Sequence, residues 1–236
     1  MVAVLLIEGV ALLRLRRNET IFANYWQNVN SNADFVYIAL GDSAAQGIGA
    51  SKPEYGYVGS LAEDIAKATG TSVQVVNLSV PGAKIQDVIN SQLSALDDYR
   101  PDLITVEIGS NNIRHFDEAA FKTDFDELAR RLPKGAYVAN IPHSGGVYKN
   151  NTEAVLASRI VADAVQSNGL LLVDLQTETT HHRSIRNYAA DYFHPNNRAY
   201  RIWRDAFWRQ IEIEVYPGGN EQISTTSNAW GPLRLL

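Results

Sequence analysis

Apolar residues along the chain fall into short continuous runs separated by longer stretches with helical spacing. The runs are continuous rather than alternating, which is typical of strands buried on both faces of a parallel sheet. The intervening stretches place apolar residues three and four positions apart, which indicates amphipathic helices. The pattern therefore predicts an α/β fold with a doubly wound, five-stranded parallel sheet. The five predicted strands are Phe35 to Leu40, Val73 to Leu78, Leu103 to Ile108, Ala136 to Ile141 and Leu170 to Leu175.

The start of the chain carries an apolar segment, residues 2–13, that runs into Arg14, Arg16 and Arg17. This segment is too short to cross a bilayer, which takes about 20 residues. A secretory signal carries its positive charges before the apolar run, so we expect a cytoplasmic or membrane-associated protein rather than a secreted one. Residues 2–17 are interpreted as a helix that either contacts a membrane surface or packs on the protein body.

The pattern divides the chain into three parts. Residues 1–34 are predicted to form an apolar and basic helical extension, and residues 35–215 to form the main domain. The stretch from 216 to 236 begins with Pro217-Gly218 and is rich in Ser, Thr and Asn, which indicates a loosely held tail.

Composition narrows the chemistry that the domain can perform. The chain has 21 Lys and Arg against 26 Asp and Glu, and its formal charge of −5 disfavours a nucleic-acid partner. It has no cysteine, which excludes thiol nucleophiles, disulfides and thiolate zinc sites. Any catalysis must use oxygen, nitrogen or carboxylate groups. The composition predicts no oligomeric state.

Ligands of open parallel sheets bind beyond the carboxyl ends of the strands, where this chain places a candidate nucleophile. Ser43 follows the first predicted strand, although a lone serine there could simply cap a helix. Asp191 and His194 are three residues apart, so one turn can let the carboxylate orient the imidazole towards a nucleophile. Pro195 restricts the backbone of His194 to extended values.

An acyl-transfer enzyme also needs donors for the negative charge that develops on the carbonyl oxygen. Gly82 follows the second predicted strand and can offer an unobstructed N–H, and Asn111 follows the third and can offer a side-chain amide. The N–H of Ser43 can be a third donor. Together these residues would supply a nucleophile, a base, an orienting acid and an oxyanion hole.

The chain resembles the SGNH or GDSL esterases and lipases over about residues 35 to 215. The four blocks of that family occur in order as Gly41-Asp42-Ser43, Asn77 to Gly82, Gly109-Ser110-Asn111 and Asp191 to Pro195. The resemblance implies a flavodoxin-like three-layer α/β/α fold and hydrolysis of a lipid, aryl or acetyl-sugar ester without metal or organic cofactor.

The resemblance also implies a role for each site residue. Ser43 would be the nucleophile, His194 the base and then the acid, and Asp191 its partner. Gly82, Asn111 and the Ser43 N–H would form the oxyanion hole.

The chain departs from the family pattern at two positions. Ala44 stands where a bulky apolar residue is usual, and Asn112 where Asp is usual. These departures concern the packing beneath Ser43 and the hydrogen bonds that brace the Asn111 loop.

Several other residues are candidates for the substrate pocket. His143 and Tyr148 follow the fourth predicted strand, and Tyr192 and Phe193 lie inside the Asp191–His194 turn. His181 and His182 are adjacent and do not share a helix face, so a metal site there is disfavoured.

Three alternative functions remain open at the level of sequence. A nucleotide- or flavin-binding protein is disfavoured because the turn after Leu40 matches neither Gly-x-Gly-x-x-Gly nor the phosphate loop. A non-catalytic lipid- or carbohydrate-binding module is disfavoured because every candidate catalytic residue is present. An acyltransferase would use the same acyl-enzyme with an alcohol in place of water.

Overall fold

A five-stranded, all-parallel sheet forms the centre of the computed structural model, which describes residues 19–27, 33–143 and 151–215. The strand order is β2-β1-β3-β4-β5, so the first strand lies between the second and the third. The predicted α/β fold and its five-stranded parallel sheet are confirmed. The strands are β1 (Phe35–Gly41), β2 (Val73–Asn77), β3 (Leu103–Glu107), β4 (Tyr137–Ala139) and β5 (Leu171–Val173).

Helices cover both faces of this sheet. Their bounds are α1 (residues 19–27), α2 (Ser43–Gln46), α3 (Tyr57–Thr69), α4 (Ile85–Asp87), α5 (Ser110–Ile113), α6 (Glu118–Arg131), α7 (Asn151–Ser167), α8 (Leu175–His181) and α9 (Asn197–Val215).

Two apolar cores lie on opposite faces of the sheet, as the alternation of side chains along each strand requires. Ile38, Leu40 and Val106 point into one core with α4, α6 and α7. Tyr37 and Ala39 point into the other with α3 and α9, where the rings of Tyr57 and Phe207 stack at 4.9 Å. These layers form the three-layer α/β/α arrangement.

One predicted helix takes a different form. Apolar spacing at Ile85, Val88, Ile89 and Leu96 indicates a single helix, but the structure has three short turns in succession. The α-helical turn α4 leads into a π-helical turn (Val88–Gln92) and then a 3₁₀ turn (Ser94–Asp98). The apolar side chains still face the core, so the periodicity identified the buried face but not the winding.

The predictions for the two ends of the chain are not tested by the structure. Residues 2–17 and the tail 216–236 lie outside the described residues, so the three-part division and the membrane contact stay predictions. In α1, Trp26 donates its indole N–H to the carbonyl of Gln46 at 3.1 Å and so packs this segment beside α2. Within the described ranges, no helix is both long and apolar enough to cross a membrane.

Candidate active site

Ser43 is the first residue of α2, directly beyond the end of β1. The preceding residue, Asp42, caps the helix because its Oδ1 accepts the N–H of Ala44 at 2.9 Å. The helix stops after one turn at Gly47, whose N–H bonds the carbonyl of Ala44 at 2.9 Å. Asn77 at the end of β2 donates to the carbonyl of Ala45 at 2.8 Å. The turn that carries Ser43 is therefore held from both ends and from the neighbouring strand.

Asp191 and His194 lie in a tight turn rather than in a helix. Asp191 Oδ1 accepts the backbone N–H groups of Phe193 and His194 at 3.0 and 3.1 Å, so the carboxylate shapes the turn as well as facing the ring. Tyr192, inside the turn, is the one non-glycine among the described residues with a positive φ, +54°. Such backbone strain persists where the surroundings over-determine it, and it often occurs at active sites.

The structure brings the three predicted catalytic side chains together. His194 Nε2 lies 3.0 Å from Ser43 Oγ, and Nδ1 lies 2.5 Å from Asp191 Oδ2. Burial raises the pKa of Asp191, but hydrogen bonds from the His194 ring and from the N–H groups of Phe193 and His194 outweigh it, so the pKa lies below its usual value. Asp191 is therefore a carboxylate at neutral pH and can stabilise an imidazolium.

Among the predicted oxyanion residues, Asn111 bonds the residues next to Ser43 and Gly82. The side-chain amide of Asn111 donates to Asp42 Oδ2 at 2.8 Å and to the carbonyl of Ala83, next to Gly82, at 3.0 Å. Asn111 therefore connects the turn that carries Ser43 to the Gly82 loop. Since both amide hydrogens are already in use, donation to an oxyanion requires Asn111 to share or exchange one of these contacts.

Asn112, one of the two departures from the family pattern, still braces the loop. Its Oδ1 accepts the backbone N–H of Ile85 at 3.3 Å. An amide oxygen thus makes a contact that a carboxylate could also make.

Two carboxyl groups, those of Asp42 and Glu107, are buried near Ser43. Burial raises the pKa of Asp42 to about 6, against the opposing effects of the Ala44 N–H, His194 and the Ser43 hydroxyl. Burial raises the pKa of Glu107 well above its usual value, the charge of Asp42 raises it further, and the Ser110 hydroxyl opposes both. Two buried like charges side by side are costly, so we assign Glu107 as protonated at neutral pH.

A largely apolar pocket opens beside Ser43. Three of the four predicted pocket residues, His143, Tyr192 and Phe193, line it, and Tyr148 lies outside the described residues. Burial lowers the pKa of His143, and nearby Arg183 lowers it further. Ten of the twenty lining residues have apolar side chains: Ala44, Ile113, Ile141, Pro142, Ala154, Phe193, Pro195, Ala199, Ile202 and Trp203.

Sequence reasoning missed part of this site. Ile202 and Trp203 belong to the amphipathic helix α9, where apolar spacing indicates core packing and gives no sign of a pocket. Helical periodicity cannot reveal that one flank of α9 borders the pocket. Within the described ranges, no cluster of His, Asp or Glu could hold a metal ion, and His181 and His182 do not line the pocket.

Comparison with known proteins places the chain among esterases and lipases. The model of the GDSL-like Lipase/Acylhydrolase family matches residues 39–202. No curated protein sequence matched the chain.

Solved structures share the fold at low sequence identity. LAE5, an alpha/beta hydrolase from the metagenome of Lake Arreo, Spain, is 20% identical with a TM-score of 0.62, and the match covers 76% of this chain and 96% of that one. The acetylxylan esterase Axe2 from Geobacillus stearothermophilus is 20% identical with a TM-score of 0.56 over 76% and 95% of the two chains. The lipase/acylhydrolase from Enterococcus faecalis is 18% identical with a TM-score of 0.63 over 75% and 95%.

Proposed function

The chain belongs to the GDSL-like lipase/acylhydrolase family and is a carboxylic ester hydrolase, and we propose that Ser43 carries the acyl group during the reaction. The observation that supports this role is the continuous hydrogen-bonded series from Ser43 Oγ through the His194 ring to Asp191, with contacts of 3.0 and 2.5 Å. A serine hydroxyl is a weak nucleophile until an adjacent base accepts its proton.

In the first half of the reaction, Ser43 Oγ attacks the ester carbonyl and transfers its proton to His194 Nε2. The imidazolium is stabilised by Asp191, and the N–H groups of Ser43 and Gly82 with the Asn111 amide bind the oxyanion. The tetrahedral intermediate then collapses. His194 returns the proton to the departing alcohol oxygen, which leaves an acyl group on Ser43.

In the second half, His194 takes a proton from water as the water oxygen attacks the acyl carbon. Collapse of the second tetrahedral intermediate releases the carboxylic acid, and the proton returns to Ser43 Oγ. We propose water as the acyl acceptor because the matching family is one of acylhydrolases. The acyltransferase alternative is not favoured by the comparisons.

The pocket beside Ser43 favours a substrate with an apolar acyl or aryl group. Its wall is formed mainly by aliphatic and aromatic side chains such as Ile141, Ile202 and Trp203. Transfer of apolar surface from water into such a site contributes about 25 cal/mol per Å² buried. The solved relatives range by name from a lipase to an acetylxylan esterase, so the pocket is the feature of this chain that should discriminate among esters.

The proposal is tested by comparing wild type and Ser43→Ala on p-nitrophenyl esters from acetate to dodecanoate. We expect Ser43→Ala to lower kcat by about 10⁴-fold or more at an unchanged melting temperature, because loss of the nucleophile disables the whole triad. A fluorophosphonate probe should label wild type at Ser43 and leave Ser43→Ala unlabelled.

Two results would contradict the proposal. Activity of Ser43→Ala within about tenfold of wild type would exclude Ser43 as the nucleophile. Ester binding by wild type with neither turnover nor labelling would instead indicate a non-catalytic binding module.

A further inference from the structure

Gln92 lies outside the four family blocks, yet its side chain ends on the strand that carries the nucleophile. Its Nε2 donates to the carbonyl of Gly41 at 2.8 Å, and its Oε1 accepts the N–H of Gly41 at 2.9 Å. Gln92 is 3% exposed. One buried amide therefore satisfies both backbone groups of the residue two positions before Ser43.

Gly41 needs such a partner because the sheet is incomplete around it. The ladder between β1 and β2 ends with the pair Ala39 and Asn77, whereas the ladder with β3 continues to Gly41. The carbonyl of Gly41 also accepts the N–H of Val80 at 3.2 Å, but the acceptor for its own N–H comes from Gln92. Beyond the end of β2, the Gln92 amide thus makes the hydrogen bonds to Gly41 that a neighbouring strand would otherwise make.

The position of Gln92 depends on the unusual winding of its segment. It is the last residue of the π-helical turn Val88–Gln92, where the N–H of Leu93 bonds the carbonyl of Val88 at 3.0 Å. Val88 and Ile89 of the same turn are buried in the core that contains Ile38 and Leu40. Single π-helical turns within helices are frequent at functional sites.

Little freedom remains for Gly41 on its other side. Its φ is +150°, and a Cβ at this position would lie 2.2 Å from the carbonyl oxygen of Glu107. The peptide of Gly41 is therefore confined between the backbone of β3 and the amide of Gln92. Asp42 and Ser43 follow immediately, so a displacement of the Gly41 peptide would also move Ser43.

We propose that Gln92 is a positioning residue for catalysis: its amide holds the backbone of Gly41 so that the Ser43 hydroxyl stays in reach of His194. This inference rests on the proposed role of Ser43 as the nucleophile. Gln92 does not line the pocket, so it should affect the reaction of bound substrate rather than substrate binding. Misplacement of a reacting group by about 1 Å can lower a rate by about 100-fold.

The test compares Gln92→Met with wild type on a p-nitrophenyl ester that wild type hydrolyses. Methionine has a similar length but cannot form either hydrogen bond. We expect kcat to fall about 10- to 100-fold while KM stays within about threefold, and the rate of fluorophosphonate labelling at Ser43 to fall in parallel.

Gln86→Met is the matched control. Gln86 precedes Gln92 in the same segment, but its amide bonds Asp124 on α6 at 2.8 Å, away from β1. The control should keep kcat within about threefold of wild type, since it loses a tertiary hydrogen bond without disturbing Gly41.

A wild-type kcat in folded Gln92→Met would overturn the proposal, as would an equal loss in the Gln86→Met control. If Gln92→Met does not fold, Gln92→Asn takes its place, because a side chain one methylene shorter cannot reach both atoms of Gly41. An unchanged kcat in that variant would equally overturn the proposal. Failure of wild type itself to hydrolyse esters or react with the probe would reject the proposed function instead.

Discussion

At the scale of single residues, the hydrogen bonds of Asp42 and its burial shift its pKa in opposite directions. Its carboxylate caps the nucleophile helix at Ala44 and accepts the amide of Asn111, and both contacts favour the charged form. Burial disfavours that form and raises the pKa to about 6. The site therefore keeps a titratable group next to Ser43, where the usual Asp would already be ionised at pH 5.

This raised pKa predicts a pH-dependent cost to stability. The pKa of Asp42 rises from 3.8 in the unfolded chain to about 6 in the folded one, so its stabilising contribution is complete below pH 4 and is lost as the pH rises through 6. The whole change corresponds to about 3 kcal/mol. Asp42→Asn cannot titrate. The difference in the free energy of unfolding, variant minus wild type, should therefore increase by up to about 3 kcal/mol between pH 4 and pH 7.

Urea denaturation of both proteins at pH 4, 5, 6 and 7 measures this difference. Effects of the substitution that do not involve proton binding shift the stability of the variant by the same amount at every pH in this range. Only the slope of the difference is diagnostic. A difference that stays constant across the range would contradict the raised pKa.

Glu107 illustrates what a residue type alone cannot tell. It lies at the end of a strand that reads as an apolar run, and only its position against Asp42 and the core keeps it protonated. The sequence identifies a glutamate at this position, whereas the protonation of its carboxyl group depends on neighbours that are distant along the chain.

At the scale of elements, the active site depends on close contact between the loop after α2 and the turn that carries His194. Gly49 makes this contact: a Cβ there would lie 2.3 Å from the carbonyl oxygen of Pro195 and 2.9 Å from Cβ of His194. Around it, Tyr200 of α9 donates to the carbonyl of Ile48 at 2.6 Å, and Asn197 accepts the N–H of Ser51 at 2.8 Å.

Gly49→Ala should therefore displace the His194 turn from Ser43. We expect kcat to fall about 100-fold, because movement of the base by about 1 Å breaks the alignment of the proton transfer. Steady-state kinetics and a thermal melt of the same preparation separate this loss from unfolding.

Gly70→Ala is the control for the backbone strain. Gly70 has a left-handed φ of +69°, near the +96° of Gly49, but no atom lies within 4 Å of its Cβ position. Both substitutions carry the strain of a left-handed alanine, roughly 1 kcal/mol. Equal kinetic losses in the two variants would show that strain, and not the contact with His194, is responsible.

At the scale of the whole molecule, the substrate pocket is assembled from elements far apart in sequence. Ala44 belongs to the nucleophile helix, Ile113 follows β3, Ile141 follows β4, and Trp203 comes from α9. No single element contains the pocket. Its shape is a property of the layers that pack around the end of the sheet.

Ala44 offers a way to change this shape. Leucine restores the bulky apolar residue that the family usually has at this position, and in this chain it would occupy pocket space. We expect Ala44→Leu to lower kcat/KM for octanoyl and longer esters by about tenfold or more, since the space lost exceeds one methylene. The acetyl ester should be hydrolysed within about threefold of the wild-type rate, because its acyl group ends near Ser43.

Measuring kcat/KM of both proteins on the p-nitrophenyl ester series gives the ratio of variant to wild type at each acyl length. The acetyl ester is the internal control. A uniform loss for all acyl lengths would mean that leucine disturbs Ser43 itself. A preference that does not change with acyl length would place the acyl group elsewhere.

Much of this protein was determined by its sequence. Continuous apolar runs predicted the parallel sheet because strands covered on both faces have no polar side, and strand ends predicted where Ser43 and Asn111 would lie. The spacing of Asp191 and His194 indicated a carboxylate and imidazole in one turn. These features are local, or follow from rules of topology that hold for any open parallel sheet.

The tertiary structure alone decided the rest. The amide of Gln92 on Gly41, the protonation of Glu107 and the contact of Gly49 with Pro195 each join residues more than 50 positions apart. Such contacts leave no periodic mark on the chain, because the partner is chosen by where the backbone runs in space. The sequence therefore identified the chemical groups of the site. Tertiary packing determined their geometry, their protonation and the shape of the pocket beside them.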